Sequence, residues 1–143
     1  MNDDPTPSAC SPLLLRTGIW LLAVSLPLGL TLEALHAMKV QVYLGSALRR
    51  ELWTLAHAHG NLLGILCLVF ALLAPTLLAE PRARQRVERL LSLGAVLMPL
   101  GFLLGGVLSS ESDPSFGIAL VPIGGVLVFV ALAIAARRVA GKD

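Results

Sequence analysis

The sequence predicts an all-α integral membrane protein, a bundle of four transmembrane helices. Of its 143 residues, 56% are hydrophobic and only 14% are charged, whereas soluble domains carry about 25% charged residues. Four apolar segments are each long enough to cross a hydrocarbon core about 30 Å thick, which takes about 20 residues. This composition excludes a disordered chain, and a net charge of +2 without a basic stripe excludes a nucleic-acid-binding protein. Two cysteines are too few for a disulfide scaffold.

The four predicted spans follow one another with short connections, and each is bounded by charged or turn-forming residues. They cover residues 13–38, 52–79, 90–109 and 116–136. Residues 1–12 are predicted to form a disordered N-terminal tail and residues 139–143 a C-terminal tail. Since the connections are short, residues 13–138 should form one domain embedded in the lipid bilayer, without a soluble module.

The distribution of lysine and arginine predicts the orientation. Four spans place both termini and the middle loop on one side of the membrane, and that side carries most of the basic residues. They are Arg16, Arg82, Arg84, Arg86, Arg89, Arg137, Arg138 and Lys142. The other side carries only Lys39, Arg49 and Arg50. Because basic residues are retained on the cytoplasmic side, both termini should be cytoplasmic, in a multi-pass protein of the bacterial inner (plasma) membrane.

Proline and glycine recur inside the spans. Every span contains a proline, which indicates either a hinge or transport path through broken helices or the ordinary composition of membrane helices; we favour the second interpretation. They are Pro27, Pro75, Pro99 and Pro122. The G-x-x-x-G pairs Gly60/Gly64 and Gly101/Gly105 predict close packing against another helix. For the first pair, a flat cofactor is the alternative neighbour.

Ionisable residues inside a span are costly and usually functional, and here they lie at one end of the first two spans. Glu33 and His36 are near the end of the first span. His57, His59 and Asn61 are near the start of the second. In the predicted orientation all of them lie at a similar depth, a turn or two below the outer surface. This cluster indicates a cofactor, metal or proton-handling site, with polar packing between helices as the alternative.

The spacing of His57 and His59 restricts the kind of site they can form. Two residues on an α-helix are separated by about 200° of rotation, so the two imidazoles should point to nearly opposite faces. They cannot chelate one ion together while the segment stays helical. Asn61 is four residues after His57 and is therefore placed to orient the ring of His57 beside a bound cofactor.

The run from Ala56 to Gly64, with its H-x-H pair, resembles the histidine helix of the haem–copper oxidase and nitric oxide reductase catalytic subunits. It is also similar to the H-x-H segment of a class of short four-helix membrane proteins. In the oxidase family such a pair ligates two haems on opposite faces of one helix. The family's twelve helices form three arcs of four around a pseudo-threefold axis. The resemblance therefore implies that this four-helix chain would approach the same arrangement as a homotrimer.

Three features depart from the oxidase pattern. The chain lacks further histidines for a copper centre, unless His36 from each of three subunits supplies them. The H-x-H pair lies on the second helix, whereas in the oxidase arcs it lies on the last. The single tyrosine, Tyr43, is in the outer loop rather than near the pair. Oxygen reduction is therefore not assigned.

Three functions follow as hypotheses. The first is a haem b protein for electron transfer, with His57 and His59 as axial ligands. Glu33, His36 or Arg50 would then pair with the haem propionates. The second is a copper or zinc site at the outer face, built from His36, Glu33 and one histidine of the pair. The third is a non-catalytic accessory subunit that packs onto a larger membrane complex.

Overall fold

The computed structural model describes residues 10–107, 109 and 113–140, and this part of the chain is helical with short connections. Its helices are α1 (Pro12–Ala37), the single turn α2 (Gln41–Leu44), α3 (Ala47–Leu77), α4 (Pro81–Val107) and α5 (Leu120–Ala140), the last preceded by a 3₁₀ turn (Phe116–Ala119). Four helical segments, 25 to 31 residues long, are apolar enough to cross a membrane. The predicted all-α class and the four candidate spans are thus confirmed.

The four long helices pack in chain order, as an open arc. Helix α1 packs on α3, α3 on α4, and α4 on α5, whereas α1 touches α4 only lightly and, in the described part of the chain, does not touch α5. The starts of α1 and α4 lie beside the ends of α3 and α5. This end is tied by the Ser11 amide, which donates to Ala71 O at 2.8 Å, and by an ion pair of Arg138 with Glu80, also at 2.8 Å. We call it the arginine-rich end.

Helices α3 and α4 are longer than the apolar segments that identify them. Helix α3 begins at Ala47, because the hydroxyl of Ser46 accepts from the backbone N–H of Arg49 at 3.2 Å and caps its first turn. Helix α4 begins with Pro81, a residue suited to a first helical turn. Both helices therefore add a charged turn or more before the apolar part starts.

The tail predictions fall mostly on residues 1–9 and 141–143, which lie outside the described residues. Within the predicted N-terminal tail, however, Ser11 is buried and its side chain caps α1. Pro12 follows as a first-turn residue of α1. At the other terminus Val139 and Ala140 are the last residues of α5. The helical domain therefore extends slightly beyond residues 13–138 at both ends.

Helix α1 ends in a Schellman motif, in which Lys39 adopts a left-handed backbone conformation with φ of 53°. The N–H of Lys39 donates to His36 O at 3.1 Å, and the N–H of Val40 donates to Leu35 O at 3.0 Å. These bonds satisfy the last carbonyl groups of the helix and turn the chain towards α2. The side chain of Tyr43 on α2 is buried.

Candidate functional site

The two histidines of the H-x-H pair contact different neighbouring helices. His57 reaches α1, where its Nδ1 lies 2.7 Å from the carbonyl oxygen of Ser25. His59 lies against α4, with its ring centroid 4.8 Å from that of Phe102. The two rings therefore point in different directions, as the rotation of about 200° between them predicts.

The imidazole of His57 is held between α1 and α3. A carbonyl oxygen can only accept a hydrogen bond, so Nδ1 of His57 carries a proton, and in the neutral ring Nε2 carries the lone pair. The amide nitrogen of Asn61 lies 3.2 Å from Nδ1 and 3.3 Å from Nε2, and of these two nitrogens only the Nε2 of the neutral ring can accept its hydrogen bond. Asn61 thus orients the His57 ring, as its i+4 spacing predicts. The side-chain oxygen of Asn61 is buried and has no hydrogen-bond partner among the described residues.

A glycine on α1 makes room for the His57 ring. A Cβ atom added to Gly29 would lie 2.7 Å from Nδ1 and 2.8 Å from Nε2 of His57, distances that real Cβ atoms essentially never show. The ring therefore fills the space that any side chain at position 29 would need. This packing, together with the Ser25 carbonyl, makes His57 a contact that fixes α1 against α3.

His59 has one ring nitrogen that is not engaged. Its Nδ1 lies 2.9 Å from Leu55 O, one turn earlier on the same helix, and donates to it. In the neutral ring, as for His57, Nε2 then carries the lone pair. No described residue donates to this nitrogen. His59 therefore presents a free imidazole lone pair, on a partly exposed ring whose orientation is fixed by its own helix and by Phe102.

The other predicted site residues do not join the histidine pair. His36 is exposed at the end of α1, with its ring edge towards Tyr43 at a centroid distance of 6.4 Å. Glu33 is also exposed. Arg50 donates from Nη1 to Leu44 O and so supports the α2 connection.

Among the described residues, no three His, Cys, Asp or Glu side chains are grouped to hold a metal ion. The copper or zinc set of His36, Glu33 and one histidine of the pair is thus not assembled within one chain. The sequence predicted a similar depth for these residues, but a similar depth does not determine the direction in which each side chain points.

Helix packing also accounts for the glycine pair beside the histidines. A Cβ at Gly60 would collide with the side chain of Ser25, and one at Gly64 would lie 3.1 Å from Leu22. Both partners are on α1. The space beside Gly60 and Gly64 is therefore filled by α1, which is the helix neighbour of the two alternatives that the sequence left open.

A cluster that the sequence analysis did not single out closes the histidine-bearing end of the bundle. The Tyr43 and Trp53 rings are stacked 6.1 Å apart, and the Arg49 guanidinium lies 5.9 Å from the Trp53 ring centroid. Arg49 also donates to Gly106 O at 3.0 Å and to Val42 O at 2.6 Å, which joins α3 to α4 and α2. The sequence signal that could have predicted this contact is the spacing of Arg49 and Trp53, which lie four residues apart on one helix.

The chain matches no protein-family model, and comparison with curated proteins and with solved structures finds no match. The resemblance to the histidine helix of the haem–copper oxidases accordingly stays a prediction. The function has to be argued from the geometry of the site itself.

Proposed function

We propose that this chain is a membrane protein that binds b-type haem for electron transfer, with His59 as the axial ligand that each chain contributes. The observation that carries the proposal is the engaged Nδ1 of His59. Its bond to Leu55 O places the lone pair of the neutral ring on Nε2, and a backbone carbonyl behind an imidazole is one of the usual supports of a metal-ligating histidine. The ring contacts Phe102, and the exposed Leu62 follows three residues later on the same helix.

The geometry separates the roles of the two histidines. His57 is already engaged at both ring nitrogens, with Ser25 O and with Asn61, and its ring lies against Gly29. We therefore assign His57 to helix packing rather than to ligation. Since the H-x-H pair then offers one free imidazole per chain, a haem held by two such imidazoles would be shared between copies of the chain. The proposal thus includes a homo-oligomer, a dimer or the trimer that the oxidase resemblance implies.

Bound haem would supply a one-electron couple whose potential is set by its imidazole ligands and apolar surroundings. The chain's own contribution is to hold the His59 ring in one tautomer and one direction. The contact of that ring with Phe102 limits its rotation. The polar contacts of His57 keep α1 and α3 in register, and so keep the part of α3 that carries His59 in place.

The test is an absorption spectrum of protein purified in detergent from haem-replete cells, recorded before and after reduction with dithionite. The wild-type chain should give a Soret band and a b-type difference spectrum, and His59→Ala should lose both. His36→Ala, which changes an exposed imidazole at the same end, is the matched control and should retain them. A featureless wild-type spectrum contradicts the proposal. Loss in His57→Ala, with retention in His59→Ala, would transfer the ligand role to His57.

A second candidate is a non-catalytic subunit of a larger membrane complex. The open arc favours it, because the outward faces of α1 and α5 carry large exposed apolar side chains, such as Leu30 and Phe129, that the described chain leaves uncovered. In this case the spectrum is featureless, His59→Ala has no effect, and the protein co-purifies with a larger partner. Stoichiometric copper or zinc without a haem spectrum would instead support the metal-binding hypothesis.

A further inference from the structure

A lateral groove of about 800 Å³ runs between α1 and α4, on the side of the arc where these two helices converge. Its walls are mainly apolar and include Val24 and Leu28 from α1 and Leu100 from α4, with Ala56 of α3 beneath them. No histidine lines the groove, which separates it from the proposed haem ligand. The wall residues Trp20 and Val24 are 67% and 61% exposed, so the groove opens sideways, out of the helix bundle.

The part of the groove that lies inward of Arg16 matches one leaflet of a bilayer. Along α1 the lining extends from Pro12 to Leu28, and its part from Arg16 to Leu28 covers about 18 Å at 1.5 Å per residue. Half of a hydrocarbon core is about 15 Å. A partner helix crossing the whole core would need a groove about 30 Å long. A lipid acyl chain needs one leaflet only.

A cation lies near the arginine-rich end of the groove, at the level where a lipid headgroup would lie. Arg16 is the one charged residue of the lining, and it makes no hydrogen bond or ion pair with any residue in the described part of the chain. Other arginines at this end, such as Arg89, are also unpaired among the described residues, whereas Arg84 and Arg138 are paired with Glu88 and Glu80. Arg16 differs from Arg89 in that it lines the groove. Trp20 follows Arg16 by one turn, in the position typical of aromatic side chains at the membrane–water interface.

We propose that this groove binds one anionic phospholipid, with its phosphate at Arg16 and an acyl chain along Val24, Leu28 and Leu100. The polar groups of the groove wall agree with this occupant. The hydroxyl of Thr17 is already bonded to Ser92 at 2.5 Å and to Leu13 O at 3.0 Å, so it does not require water or a polar ligand. The positive charge selects a headgroup that carries net negative charge, because basic residues near a membrane surface attract anionic lipids.

The experiment measures lipid binding to the full chain by native mass spectrometry. Phosphatidylglycerol and phosphatidylcholine with identical acyl chains are titrated separately, so that only the headgroup charge differs. The wild-type chain should bind phosphatidylglycerol about fivefold more tightly, the usual effect of one basic residue at a membrane surface. Arg16→Gln should abolish this preference. The matched control Arg89→Gln removes an exposed arginine at the same end but outside the groove, and should preserve it.

A second variant tests the groove apart from the charge. Val24→Trp fills the groove at an exposed position, where folding should tolerate the larger side chain, and should weaken the binding of both lipids. The proposal is overturned if Arg16→Gln keeps the preference or if Arg89→Gln loses as much of it. It is also overturned if Val24→Trp leaves lipid binding unchanged, or if that variant alters the oligomeric state instead, since a second copy of the chain would then occupy the groove.

Discussion

The contact between Gly29 and His57 allows a quantitative prediction. Gly29→Ala places a methyl group 2.7 Å from Nδ1 of His57, so the ring must move and its hydrogen bond to Ser25 O must lengthen or break. Overpacking of this kind costs about 1–3 kcal/mol, and a lost hydrogen bond costs about 1 kcal/mol. The helix propensity of alanine over glycine offsets about 1 kcal/mol. The net expected loss of unfolding free energy is therefore about 1–3 kcal/mol.

The same substitution in a His57→Ala background separates this mechanism from a general effect of alanine. With the ring removed, Gly29→Ala should be neutral or stabilising by up to about 1 kcal/mol. The double-mutant cycle should therefore give a coupling of about 1–4 kcal/mol. Gly125→Ala is the matched control, because its new Cβ would meet only Met98 Cε, at 3.7 Å, and it should cost nothing.

Unfolding can be followed through a thiol inside the bundle. Cys67 is 0% exposed, so a thiol-reactive dye should label it only after unfolding, in a Cys10→Ser background titrated from mild detergent into SDS. Equal destabilisation by Gly29→Ala with and without the His57 ring would refute the reasoning. A loss as large in Gly125→Ala would show that any alanine in these helices is costly, and would refute it equally.

Substitutions at three further positions can be measured by the same titration. Lys39→Gly should stabilise the folded chain by about 1 kcal/mol, because glycine adopts a φ of 53° without the steric penalty of a side chain. If the variant is less stable than the wild type, contacts of the lysine side chain outweigh this backbone penalty. Ser92→Ala removes the hydrogen bond to Thr17 between α4 and α1 and should cost about 0.6 kcal/mol; in a Thr17→Val background this cost should vanish. Trp53→Phe should be neutral or stabilising, because it removes Nε1, which is buried without a partner among the described residues. Trp53→Ala also loses the stacking on Tyr43 and should cost about 3 kcal/mol. Similar losses in the two Trp53 variants would contradict that reasoning.

The spans were predictable because the bilayer imposes a length of apolar sequence, but their ends were not. The prediction of a second span from residue 52 missed the first turn of α3, since residues 47–51 include two arginines and a glutamate. Outside the hydrocarbon, a charged turn continues a helix at no cost, and the cap at Ser46 sets the boundary. Apolar windows therefore locate the membrane-spanning part of a helix rather than its limits.

The candidate site was predictable where it depends on one helix. The divergence of His57 and His59 and the contact with Asn61 follow from 100° of rotation per residue. The hydrogen bond from His57 to Ser25 O depends on how α1 packs on α3, and no local sequence pattern specifies this packing. For the same reason the sequence placed His36 and Glu33 at the correct end of the bundle but not on the exposed side of α1, where they lie.

The open arc also bears on how the protein is made. Because each long helix after α1 packs mainly on the one before it, its main partner has already been synthesised when that helix emerges from the ribosome. The helical hairpin of α1 and α3 can form its His57 and Ser11 hydrogen bonds before α4 is synthesised. Helix α5 packs mainly on α4. Assembly of these helices can therefore proceed in the order of translation, and α5 completes an edge rather than closing a ring.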